Sequence, residues 1–203
     1  MRVSVSNPTS SLEHVVGKIV DTIDAAIERR PWTNEKIEKH FARRSPAQIM
    51  EEGNTCYMGP CLDLTLVARL HLAQQGYAST LIVDEFFSAR YGQFAVHFAL
   101  EIPSVKGVHM LDFATRNKII FREGSYANEL EPPKDQIVLR FNDSINPYFS
   151  FFNSSAHMPH LKRYAWNSHL TRLKNDNTQE TYQRYKASLP RGGHFELVPC
   201  LAK

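Results

Sequence analysis

The chain has 203 residues, 42% of them hydrophobic and 22% charged, with a formal net charge of +3. That length fits a single domain, and the apolar content suffices for a sizeable core, which excludes wholesale disorder. The charge is too small and too scattered to point to nucleic acid, no apolar run nears the roughly 18 residues of a membrane span, and three cysteines (Cys56, Cys61, Cys200) are too few for a disulfide framework.

The opening MRVSVSNPTSSLEHVV carries no continuous apolar stretch of about 7–15 residues, so no secretory signal is read and a cytoplasmic location is expected, export by another route apart. In a reducing compartment at least one thiol is free for chemistry. Residues 10–30 place Leu12, Val15, Val16, Ile19, Ile23, Ala26 and Ile27 three or four residues apart, which predicts an amphipathic helix ending in a basic turn at Arg29–Arg30 before Pro31. A shorter helix is expected after Thr33. Ser45-Pro46-Ala47-Gln48 reads as a capped helix start. These elements make residues 1–52 a helical preface.

Asn54 to Pro60 reads as a loop broken by Gly59-Pro60. From Cys61 to Gln75 apolar residues cover most of a helix circumference, so this helix should be buried, with Gly76 as its left-handed cap. Strands follow at Tyr77–Phe87, Gln93–Ile102, Val108–Phe113, Lys118–Phe121 and Gln136–Phe141. Short turns such as Ser104–Gly107 imply antiparallel pairing. In the Gln93–Ile102 strand Phe94, Val96, Phe98, Leu100 and Ile102 share one face, and Ala95, His97, Ala99 and Glu101 the other. The order of elements predicts an α+β fold: a buried helix carrying Cys61, packed on an antiparallel sheet. The catalytic core would span 53–142 and a C-terminal extension 143–203. That extension reads as irregular and aromatic to about Trp166, with a helix over roughly 177–188.

A nucleophilic thiol needs a base and a group that orients the base. Cys61 stands at a helix start, where unpaired N–H groups favour thiolate over thiol. His97 projects from a strand between Ala95 and Ala99, small neighbours that leave room for a substrate. Asp112 follows on the next strand after a short turn, which is expected to bring it within reach of His97. Each residue alone has a bland reading: a core cysteine, a structural histidine, a turn aspartate. Their order along the chain favours catalysis.

With these residues in place, the chain resembles the transglutaminase-like superfamily of papain-related cysteine enzymes. GPCLDLTLVARLHLAQQGYASTLIVDEFF is similar to that family's core helix and the strand after it, FAVHFALEI to its His strand and HMLDFATRN to its Asp strand. The resemblance implies a papain-like core with Cys61 as nucleophile, His97 as base and Asp112 as orienting acid. It departs from the family at Phe98, where Trp is common, and at Phe113, where Pro is frequent. Arylamine N-acetyltransferases share this order, but their Arg-Gly-Gly-x-Cys approach is replaced here by Tyr57-Met58-Gly59-Pro60-Cys61. The paired zinc cysteines usual in peptide N-glycanases are missing.

Among other candidates, Cys56 is a rival thiol without the helix-start position. Asp63 is expected to stabilise the first helical turn. The oxyanion donor expected by default is the Cys61 backbone N–H, with Asn54 or Tyr57 as candidates for a second. His157, His160 and His169 lack acidic or thiol companions and read as a solvated loop rather than a metal site. Phe149, Phe151, Phe152, Tyr164 and Trp166 read mostly as packing, and Arg191-Gly192-Gly193-His194 as a turn. The expected function is thiol chemistry on an amide-type bond of a protein, peptide or small-molecule substrate, through a thioester and without cofactor. The alternatives are a non-catalytic binding module of the same fold and an acetyltransferase using acetyl-coenzyme A.

Overall fold

The computed structural model describes residues 11–113, 118–127, 134–142, 160–189 and 196–199. Helix α1 (Leu12–Ala26) begins where the Ser11 side chain accepts from the His14 backbone N–H, and it buries Leu12, Val15, Val16, Ile19, Val20 and Ile23. It ends before Arg29–Arg30. Those residues belong instead to a short strand, β1 (Glu28–Arg30), which pairs in parallel with β2 (Asn54–Cys56). The expected basic last turn and the first half of the expected loop are thus a two-stranded ribbon. Its partners lie 26 residues apart in sequence (Glu28 with Asn54), so no local pattern announces it.

Between these strands lie α2 (Asn34–His40), capped by Thr33, and α3 (Pro46–Glu52), whose Ser45 and Gln48 form a complete capping box. Gly53 closes α3 at φ +60, and a Cβ there would meet the Ala26 carbonyl oxygen at 3.2 Å. Both the left-handed backbone and the close approach call for glycine. Helix α4 (Pro60–Gln74) is buried without interruption from Pro60 to Arg69.

The large sheet has the order β7-β3-β4-β5-β6-β8. Strands β3 (Thr80–Ser88), β4 (Gln93–Ser104), β5 (Gly107–Phe113) and β6 (Lys118–Glu123) form an antiparallel meander. Strand β7 (Lys134–Phe141) crosses back to pair antiparallel with β3, and β8 (Glu196–Pro199) runs parallel to β6. The mixed α+β class and antiparallel pairing expected from sequence are therefore present. The main core joins Phe98, Leu100, Ile102, Leu111 and Phe113 of the sheet to Leu62, Leu64, Leu66 and Leu72 of α4 and to the buried face of α1. Burying each such side chain is worth about 1.5–3 kcal/mol. A smaller cluster of Ile82, Ala99, Met110 and Tyr126 covers the other face.

The C-terminal region departs most from expectation. Residues His160–Asp176 form α5, so Tyr164 and Trp166 stand on a helix rather than in an irregular stretch. Helix α6 (Gln179–Ser188) follows, capped by Thr178. The segment HLKRYAWNSHLTRLKND has few aliphatics and hides its helical period. Its docking face is Ala165, Trp166, His169 and Leu173, with Trp166 stacked on Phe41 at 5.7 Å. Phe149, Phe151, Phe152, His157 and Arg191–His194 lie outside the described residues. Among the described residues, no helix is long and apolar enough to cross a membrane.

Candidate active site

The approach to Cys61 is built from distant parts of the chain. Tyr57 N–H donates to the Arg30 carbonyl (3.1 Å), which extends the β1–β2 ribbon to the start of α4. Gly59 is the N-cap, and a Cβ on it would meet Leu173 Cδ2 at 3.0 Å and Phe41 Cε2 at 3.2 Å. A side chain there would press on Leu173 of α5 and on Phe41 at the end of α2. Among the described residues no side chain caps α4, so its first N–H groups keep their partial positive charge beside Cys61.

His97 on β4 and Asp112 on β5 share a sheet face. Asp112 pairs with Ala99, so the two side chains meet on the diagonal. His97 Nε2 donates to Asp112 Oδ1 over 2.6 Å. Cys61 acts on the His97 ring as well, by hydrogen bond and by charge, and both favour the protonated ring. Burial pushes the His97 pKa down, but the Asp112 charge and hydrogen bond, joined by those of Cys61, hold it well above the usual histidine range. Cys61 and His97 both line a cavity of about 150 Å³.

The chain matches no family model, no curated protein and no solved structure.

The other sequence candidates fall elsewhere. Cys56 is fully buried, and that burial pushes its thiol up to about 12, against the smaller pull of the Met58 and Gly59 backbone hydrogen bonds. It stays protonated and out of reach. Asn54 accepts from Trp32 Nε1 (3.1 Å) and Lys36 Nζ (2.8 Å) and donates to the Glu52 carbonyl (2.7 Å). Tyr57 donates its hydroxyl to the Asp176 carbonyl at 2.8 Å. Both candidate oxyanion side chains are engaged away from the cavity. Asp63 does more than steady a helical turn: its buried carboxylate accepts from Arg44 Nη2 and from Thr55 Oγ1 (2.6 Å). It thereby ties α4 to β2 and to the chain before α3.

His169, read from sequence as part of a solvated loop, is buried on α5 and lines the cavity with Cys61 and His97. Burial, then the Arg172 and His97 charges, push its pKa down to about 3, so the ring is neutral. Among the described residues no cluster of three or more His, Cys, Asp or Glu side chains is arranged to hold a metal ion. Ser88, Arg90 and Arg172 also reach the cavity. Sequence reasoning singled out none of them, and no local pattern brings β3, the turn after it and α5 together.

Proposed function

We propose that the protein is a thiol-dependent enzyme with a papain-like, transglutaminase-like catalytic core that acts on amide-type bonds through an acyl-enzyme. The observation that carries this reading is the chain Asp112–His97–Cys61, with a 2.6 Å His97–Asp112 contact and the thiol at the uncapped start of a buried helix, opening on one cavity.

In this reading the Cys61 thiolate attacks the carbonyl carbon and the carbonyl π pair moves onto oxygen. The Cys61 backbone N–H stabilises that oxyanion. Collapse breaks the C–N bond as His97 gives its proton to the leaving nitrogen, and a thioester forms. Water, deprotonated by His97, then attacks the thioester; sulfur leaves and the carboxylic acid is released. An amine in place of water would make the same centre a transglutaminase. Asp112 holds the ring in position and stabilises its charged form throughout.

Iodoacetamide labelling near neutral pH, mapped by mass spectrometry, tests this. Rapid carbamidomethylation at Cys61 that slows about tenfold or more in His97→Ala is the expected result. Labelling of Cys56 alone, or equally slow labelling in both proteins, would overturn the assignment.

A further inference from the structure

The cavity beside Cys61 has a mixed lining. Met58, Phe86 and Phe113 contribute apolar lining, Ser88, Arg90, His169 and Arg172 contribute polar lining, and no carboxylate lines it among the described residues. Ser88 and His169 are 1% and 3% exposed. Even so, Ser88 Oγ, both His169 ring nitrogens and Arg172 Nε are buried without a hydrogen-bond partner among the described residues. Each such atom costs about 1–3 kcal/mol, and native structures seldom leave several together without a purpose. The Asp112–His97–Cys61 chain uses none of them.

The two guanidinium groups are held in place by one ring. Arg172 Cζ lies 4.2 Å and Arg90 Cζ 5.5 Å from the centroid of Tyr91, in the turn between β3 and β4. A guanidinium over an aromatic face can still offer in-plane N–H donors to a carboxylate or phosphate, and Arg172 Nε is such a donor without a partner among the described residues. The neutral His169 ring offers one further N–H, and the Ser88 hydroxyl another.

Resting on the acyl-enzyme reading above, we propose that this cavity is the acyl-group subsite and that it selects substrates whose short apolar stem ends in an anion, a carboxylate or a phosphate. Arg172 receives the anion with Arg90 at the rim, while Ser88 and His169 complete its hydrogen bonds. The apolar lining residues Met58, Phe86 and Phe113 take the stem.

Three activated esters of matched length test this on the intact chain: the p-nitrophenyl esters of pentanoate, succinate and 3-phosphonopropanoate. Each transfers its acyl group to Cys61 sulfur with release of p-nitrophenolate, followed by absorbance and by intact mass. The rates of both anionic esters are divided by the pentanoate rate and compared with the same ratios for glutathione. The wild-type ratio for one anionic ester should exceed the glutathione ratio by about tenfold or more, and the faster of the two identifies the anion. Arg172→Gln should bring the ratio close to that of glutathione, Arg172→Lys should retain most of it, and Arg90→Gln should lower it in part. Arg184→Gln, an exposed arginine on α6, should leave it unchanged. Acylation by all three esters with the glutathione ratio overturns the subsite alone. So does a raised ratio that survives both Arg172→Gln and Arg90→Gln. No acylation by any ester, together with slow iodoacetamide labelling, overturns the catalytic reading and the subsite with it.

Discussion

At the scale of single residues the site is a contest between burial and charge, and His97 shows which wins. Burial alone would keep its ring neutral; Asp112 and Cys61 reverse that and raise its pKa well above the usual value. Asp112→Asn removes one opposing charge, so burial should take over. The alkaline limb of Cys61 reactivity, set by loss of the imidazolium proton, should move to lower pH in the variant, as a pH profile of iodoacetamide labelling would show. Stability follows the same sign. A raised folded-state pKa contributes stability that is fully present below about pH 6.5 and is lost as pH rises through the folded value. The melting-temperature gap between wild type and Asp112→Asn should therefore be widest below pH 6.5 and close on the alkaline side. A gap that widens with pH would contradict the ion pair.

Among elements, the start of α4 is the junction on which the site depends. Arg44 and Asp63 are 3% and 2% exposed and face each other there. Asp63→Asn takes away one of the two carboxylates on the Arg44 guanidinium and leaves Glu52 at 2.8 Å, so it should cost about 1.5–3 kcal/mol in urea unfolding. Replacing both by apolar residues should cost less than that. Gly59 presents a steric version of the same dependence. A methyl group there presses on Leu173 and Phe41, so Gly59→Ala should lose about 1–3 kcal/mol and slow Cys61 labelling by shifting α5 or the thiol. Unchanged stability and labelling would show that α5 gives way freely.

Over the whole molecule, the late helix α5 lies against the early ones and walls the cavity. Leu173 is fully buried against Gly59 and the main core, and Trp166 stacks on Phe41. Leu173→Ala should cost about 2–5 kcal/mol in thermal or denaturant unfolding. It should also admit bulkier thiol reagents to Cys61 than the wild type accepts, read as a larger gain with an N-substituted maleimide than with iodoacetamide. Equal gains for both reagents would mean that α5 does not limit access.

What the sequence determined by itself was whatever depends on neighbours a few residues away. The capping box at Ser45 and Gln48, the buried α4 and the alternating β4 all follow from local geometry, and they are enough to set the α+β class. Cys61, His97 and Asp112 were legible because each sits on such an element and two sit on adjacent strands. What only the tertiary structure decided came from distant pairings. Glu28–Arg30 becomes a strand only because Asn54–Cys56 lies beside it, β7 returns to β3 across the whole meander, and α5 takes its helical face from docking rather than from an apolar stripe. For the same reason Cys56 drops out through burial, Asn54 and Tyr57 through partners elsewhere in the fold. His169, Ser88 and Arg172 share the cavity because three elements converge there, a convergence with no local signature in the chain.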